Sequence, residues 1–361
     1  MTKIISGIQQ VGIGVKDLKT AWNWYIKAFG VDVRIFEDDT VAELMLPYTG
    51  GVPQQRHAAL ALNMQGGGGF EIWQYSKRIP LAPIEKINLG DLGIYAAKIK
   101  CPNVLNAYTH FKKIGAVILG EISLNPAGQK HVFVKDPFEN IFDVVETNTT
   151  WFCNQNKPTG ATLGAIIGCS NIDKALPVYR DILGFDQTLS DTTDHFPDLF
   201  PLPGGEKKFR RVILTHSKPR IGAFSQMLGH GYIELVQAFD VDPKKILANR
   251  FWGDLGFIHL CFDIRNMSDL EKECVEKGFH FTVNSNVKHN QQGSFDMGEA
   301  AGHFSYIEDP DGTLIEFVET HKVPIFKKFG IYLSLKKRDP EKPLPKWMVK
   351  LLGLQKVKGF E

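Results

Sequence analysis

The sequence predicts an α+β fold built from four βαβββ modules in two halves, followed by a basic C-terminal extension. Three observations predict it: an internal repeat, strands of alternating polarity, and amphipathic helices that each stop at a glycine. The repeat is explicit in two places. Residues 15–30 (VKDLKTAWNWYIKAFG) match residues 169–184 (CSNIDKALPVYRDILG), with Tyr25 on Tyr179 and Gly30 on Gly184. Residues 135–147 (KDPFENIFDVVET) match residues 308–320 (EDPDGTLIEFVET). A start and a finish repeated in the same order mark a duplication, with copies at 1–147 and 160–321. The polar stretch 148–159, ending Lys-Pro-Thr-Gly, reads as the linker.

Each half divides again. The spacing predicts helices over 18–29, 104–114, 172–183 and 268–277, each closed by a glycine (Gly30, Gly115, Gly184, Gly278) suited to the left-handed conformation after a helix. Runs such as residues 231–237 (GYIELVQ) and 314–319 (LIEFVE) alternate polar and apolar side chains with the period of a strand. Asp309-Pro-Asp-Gly is a tight turn, Pro presetting φ and Gly accepting a positive one.

Bulk properties bound the function. At 361 residues, 43% hydrophobic and 23% charged, the chain has the composition of a globular protein with two ordinary domains. No apolar run reaches the ~20 residues of a membrane span, and the N-terminal residues lack a secretory pattern. Five scattered cysteines (Cys101, Cys153, Cys169, Cys261, Cys274) form no C-x-x-C pair, which favours reduced thiols in a cytoplasmic setting. The net charge of +2 hides an asymmetry: residues 322–361 hold eleven Lys/Arg and three Asp/Glu, a charge of +8, leaving −6 on the rest. An acidic body without basic residues interleaved with stacking aromatics is not a nucleic-acid groove. The expected partner is a small-molecule substrate, bound by a monomer or homodimer without stable membrane insertion.

Paired βαβββ modules with a V-x-D-L…Y…G start and a D-P-D-G-x-x-I-E finish resemble the vicinal-oxygen-chelate superfamily of glyoxalase I, bleomycin resistance proteins and extradiol dioxygenases. The resemblance spans roughly residues 4–320 and implies two glyoxalase-like domains. It also implies a divalent metal in a cup of strands, with ligands on the first strand and near the end of the last strand of each module. Carried onto this chain, those positions are Gln10 and Glu71 in module 1, Ala96 and Asp143 in module 2, Gly164 and Glu234 in module 3, and His259 and Glu316 in module 4. Pairing modules within each half leaves both sites a ligand short. Pairing module 1 with module 4, as in the shared sites of glyoxalase I, gives the complete set Gln10, Glu71, His259 and Glu316. Modules 2 and 3 then keep only carboxylates.

One imidazole, one amide oxygen and two carboxylates suit Zn, Ni, Mn, Co or Fe in the divalent state, with positions left for water or substrate. The resemblance implies a lyase or isomerase working through an enediolate, with Glu316 as base and Glu71 on the opposite face. Gly14 and Tyr75 stand four residues beyond Gln10 and Glu71, so the glutathione-gripping residues of glyoxalase I are not carried over. Two other readings stand beside this one. A non-enzymatic binder of the bleomycin-resistance kind needs no metal. An Fe(II) extradiol or arylpyruvate dioxygenase takes two His and one Glu from the second half, where Gly164 replaces the first His.

Several features carry bland alternatives. Glu234 is a relic carboxylate or a salt-bridge partner. His303 lines the module 4 cup or sits on its rim. Gly66 to Gly69 reads as a hairpin turn delivering Glu71 and lacks the Lys-Ser/Thr ending of a phosphate loop. His289, in the polar insertion 284–298, belongs to a lid or an ordinary loop. In the tail, residues 344–354 predict a short helix with Trp347, Met348, Leu351 and Leu352 on one side and Lys346 and Lys350 on the other. Its expected place is against the acidic body or over a sheet edge, with a membrane surface as the alternative.

Overall fold

The computed structural model describes residues 2–149, 151–285, 295–296, 301–326 and 331–360. His289 and the middle of the insertion lie outside the described residues.

The helices form where the apolar spacing places them: Leu18–Phe29, Val104–Lys113, Ile172–Leu176 and Met267–Glu276. Asp17, Asn103 and Asn171 cap the first three by accepting an N–H two or three positions into the helix. The third differs from the expectation. Pro177 has no N–H to continue the α ladder, and residues Pro177–Ile182 run on as a π-helical turn. Gly30 and Gly184 close their helices at φ +64° and +78°.

The repeated tyrosine and aspartate explain each other. Tyr25 donates to Asp136 Oδ2 and Tyr179 to Asp309 Oδ2, both at 2.8 Å. Asp136 also accepts from the amides of Phe138 and Asn140, and Asp309 from those of Asp311 and Thr313, holding the two turns. In each half a helix of the earlier module is thereby tied to the final turn of the later one.

Among the described residues, eighteen strands form two sheets. The central path of the first runs Val283–Asn284, Ala301–Glu308, Leu314–Phe326, Gly256–Arg265, Ile4–Gly14, Gly69–Tyr75, Gln54–Leu62 and Val33–Ala42. Two short strands, Phe295–Asp296 and Ile331–Ser334, attach off this path. The second sheet runs Gln187–His195, Lys208–Thr215, Tyr232–Ala238, Thr162–Gly168, Gly93–Cys101, Ile141–Glu146, Lys130–Lys135 and Val117–Leu124. Modules 1 and 4 therefore share one curled sheet, and modules 2 and 3 the other. Each join is an antiparallel pairing of first strands, with Gln10 opposite Cys261 in one sheet and Gly164 opposite Lys98 in the other. One continuous apolar core lies behind the cups and draws on all four helices and both sheets.

The C-terminal extension lies on the edge of the first sheet. Lys356 bridges to Val33, the Val357 amide donates to Asp32, and Asn23 pairs with both backbone polar groups of Phe360. Covering an edge strand removes a template for unwanted pairing. Its helix, Lys346–Lys350, corrects the expected apolar side. Leu344, Val349 and Leu352 are buried against Val33, Leu60 and Met64, whereas Trp347 is 62% exposed. Proline at 345 and a tighter turn over Leu351–Gln355 shift the face away from ideal α spacing.

Candidate metal centre

Four neighbouring strands at the centre of the first sheet carry Glu316, His259, Gln10 and Glu71, in that spatial order. The four side chains converge. His259 Nε2 lies 3.1 Å from Glu316 Oε2 and 3.3 Å from Glu71 Oε2. Gln10 Nε2 is 3.5 Å from each of the same two oxygens. All four residues are buried, His259 completely.

Burial lowers the His259 pKa, but the two carboxylates more than reverse this, raising it to about 9. Its Nδ1 faces the Tyr306 hydroxyl at 3.4 Å, and the Trp252 ring lies nearly parallel to the imidazole. These contacts aim Nε2 at the carboxylates. Two buried polar atoms here make no hydrogen bond: His259 Nε2, close to both carboxylates but not aligned with either, and Gln10 Oε1. Two carboxylates, one imidazole and an amide whose buried Oε1 makes no hydrogen bond are a donor set that fits a divalent cation.

Sequence reading missed the residues that make room for this arrangement. A Cβ on Gly12 would lie 2.5 Å from the His259 ring. Gly12 sits beside Glu71 in the ladder and leaves the space the imidazole fills. Trp252, from the loop before module 4, enters the cup and accepts from Tyr75 through its carbonyl at 2.5 Å. Tyr306 pairs with Glu316 across the ladder and was legible as a cup-facing position by alternation.

The second sheet shows what became of the twin position. Here Lys98 Nζ lies 2.5 Å from Asp143 and 2.7 Å from Glu234. Arg211 binds the other oxygen of Glu234 and both oxygens of Asp198. His131 bridges Asp143 at 2.8 Å and Asp198 at 3.3 Å. Glu234 is thus a salt-bridge partner. Although burial raises its pKa, Arg211 and Lys98 hold the carboxylate below its ordinary range. His131, lowered by burial but raised further by Asp143 and Asp198, reaches about 9. Lys98, Arg211 and His131, all buried, were not singled out from the sequence. A lysine inside the apolar run Ile94–Ile99 is the signal that would have found the first.

Two further expectations change. His303 does not face the cup: Tyr306 does, and the odd-numbered positions of that strand point to the opposite side. The dioxygenase arrangement from the second half alone has no shared floor, because Gly164 and Glu234 lie in one sheet and His259 and Glu316 in the other. Gly66 to Gly69 do form the approach to Glu71, with positive φ at Gly67 and Gly68. The five cysteines are free, and among the described residues no helix is long and apolar enough to cross a membrane.

With this geometry in view, the chain was compared with known proteins. The family model described as "Glyoxalase/Bleomycin resistance protein/Dioxygenase superfamily" matches residues 7–144 and 162–317. No curated protein matches. Among solved structures, a protein from Bacillus subtilis subsp. subtilis str. 168, assigned provisionally as a dioxygenase, superposes with TM-score 0.53 at 14% identity, covering 88% of this chain and 86% of that one. Glyoxalase I from Zea mays superposes with TM-score 0.50 at 14% identity, covering 88% of this chain and 92% of that one. At such identities the likeness concerns the fold.

Proposed function

We propose a reaction class from two premises: the chain belongs to the glyoxalase/bleomycin resistance protein/dioxygenase superfamily, and the first cup gathers one imidazole, one amide and two carboxylates. On these premises the protein is a divalent-metal-dependent lyase or isomerase of glyoxalase type. It acts on a small substrate with two adjacent oxygens, through an enediolate of that substrate, without glutathione. Gln10, Glu71, His259 and Glu316 hold the cation, with Gln10 presenting its amide oxygen. The observation that carries this is the meeting of these side chains around Glu71 Oε2 and Glu316 Oε2.

A cation held there would supply Lewis-acid polarisation of the substrate oxygens. The protein's own part is proton transfer and exclusion of water. Glu316 is the base that takes a proton from the carbon beside the polarised carbonyl, and Glu71 faces it from the strand across the cup. Tyr306 keeps His259 oriented, and Trp252 and Trp73 form a dry wall beside the imidazole.

The test is solvent-deuterium exchange at the carbon beside a carbonyl, followed by NMR. The protein is loaded in turn with Zn²⁺, Ni²⁺, Mn²⁺ or Co²⁺ and offered 2-oxoaldehydes and 2-hydroxyketones. The expected result is metal-dependent exchange that Glu316→Gln lowers about 10²- to 10⁴-fold, the usual range for a general base. Absence of a stoichiometric cup metal, with no rescue by these four ions, would replace this reading with a binding protein. Oxygen uptake with catechols or arylpyruvates would replace it with an Fe(II) dioxygenase.

A further inference from the structure

A second group of metal-ligating side chains lies on the other face of the first sheet. His303 and Glu319 are paired across the ladder between strands Ala301–Glu308 and Leu314–Phe326, and His321 follows two residues along the same strand. Alternation places all three behind the cup. Tyr306 and Glu316 point into it, whereas Ile307 and Phe317, of the same parity as His303 and Glu319, belong to the helix-side core.

Glu319 is anchored. Its Oε1 accepts from the Asn266 amide at 2.9 Å, where the helix Met267–Glu276 begins, and Arg265 lies 3.6 Å from the same oxygen. Its Oε2 faces His321 Nε2 at 3.6 Å and His303 Nδ1 at 3.9 Å. One ligand atom from each residue falls within 4.8 Å of the other two.

The spacing leaves room for an ion between these atoms. A hydrogen bond between imidazole and carboxylate closes to roughly 2.7–3.2 Å, shorter than either contact. Ligands about 2.0–2.2 Å from a tetrahedral cation stand roughly 3.3–3.6 Å apart. The observed separations approach the second figure and need only small side-chain adjustment. The carboxylate already spends one oxygen on the helix start, so its remaining oxygen is directed at the two imidazoles. Glu319 and His321 are buried, while the His303 side chain keeps 12% exposure, a route of entry.

We propose that His303, Glu319 and His321 form a second binding site for a zinc-class divalent cation, separate from the cup. Two nitrogens and one carboxylate oxygen leave one tetrahedral position for water, and this donor set favours Zn²⁺ over Mg²⁺ or Ca²⁺. The cation staples the two strands together at the first turn of the helix that Glu319 caps. It takes no part in the cup's chemistry.

The experiment is zinc titration of the full chain against a chromogenic chelator, with circular dichroism to confirm folding. His259→Ala removes the cup site from the count. Wild type is expected to bind two zinc ions per chain and His259→Ala one. Adding His303→Ala or Glu319→Gln to His259→Ala should remove that ion or weaken it at least tenfold. Glu319→Gln keeps an oxygen for the Asn266 amide, so it separates metal loss from loss of the helix cap. In the wild-type background each of these two substitutions should lower the count from two to one. The proposal is overturned if His259→Ala binds no zinc, or if its remaining ion is indifferent to both substitutions. Loss of only the cup ion in wild type would instead count against the proposed function and leave this site standing.

Discussion

The two cups have the same strand topology and opposite contents. In the first, Gly12 makes room for His259; at the matching positions of the second, Ile166 and Ala96 pack against each other in the apolar cluster. Where the first has Cys261 beside Glu316, the second has Lys98 beside Asp143. Where the first keeps Ala58, the second has Arg211, stacked under Phe196. The segment carrying Phe196 and Leu199 brings Asp198 down onto Arg211 and His131. The second cup is thus a closed, buried network of three basic and three acidic side chains. Its carboxylates are neutralised by an ammonium, a guanidinium and an imidazolium belonging to the chain. The first cup has two carboxylates and one imidazole, with no Lys or Arg among these contacts. A duplicated cup keeps its carboxylates only if something positive answers them. One copy answers from its own sequence; under the proposed function, a divalent cation would answer in the other.

The comparison can be broken most severely at Lys98. Lys98→Met leaves Asp143 and Glu234 facing each other in a dry site, and removing one partner of a buried pair costs about 3–5 kcal/mol. Urea denaturation should show that loss. Glu71→Gln in metal-free protein should cost much less, because Glu316 remains beside the His259 imidazole. Equal losses from the two would erase the distinction.

Gly12→Ala tests whether the first cup depends on its missing side chain. The new methyl collides with the imidazole, and overpacking of this kind costs about 1–3 kcal/mol. Zinc affinity of the cup should fall with it, measured by chelator competition. Retention of full affinity would show that His259 does not need this space.

Tyr306→Phe is a finer probe. It removes the partner of His259 Nδ1 with little change of shape, and outer partners of metal-bound histidines are worth about 10- to 100-fold in affinity. Its counterpart is already Phe133 in the second cup, so the substitution makes one cup resemble the other at a single atom.

The smallest effect is a dependence on pH. His131 has a folded-state pKa of about 9, above the ~6.5 of an unfolded histidine. Its protonated form therefore contributes stability that is fully present below pH 6.5 and is lost as pH rises through 9. Thermal melting from pH 6 to 9.5 in zinc-saturated protein should fall, and His131→Asn should flatten that fall. An unchanged slope in the variant would remove His131 from the network's proton balance.

Much of this molecule was legible in its sequence because the information is local. Helix spacing, glycine stops and the Asp-Pro turns depend on residues a few positions apart, and the repeat revealed which positions correspond. Gln10, Glu71, His259 and Glu316 could be named because the family resemblance implies where ligands stand on the first and last strands, and the repeat carried those positions onto each module. What the sequence left open depends on partners brought from afar. The pairing of module 1 with module 4, expected from the family resemblance, is made by the antiparallel pairing of Ile4–Gly14 with Gly256–Arg265, more than two hundred residues apart, a contact that local spacing does not specify. Lys98, Arg211 and His131 could be read as a network only once Asp143, Glu234 and Asp198 stood around them, because a buried charge is tolerable only with its partner. The role of Gly12 likewise belongs to the tertiary structure: an absent side chain has meaning only beside the ring that occupies its place.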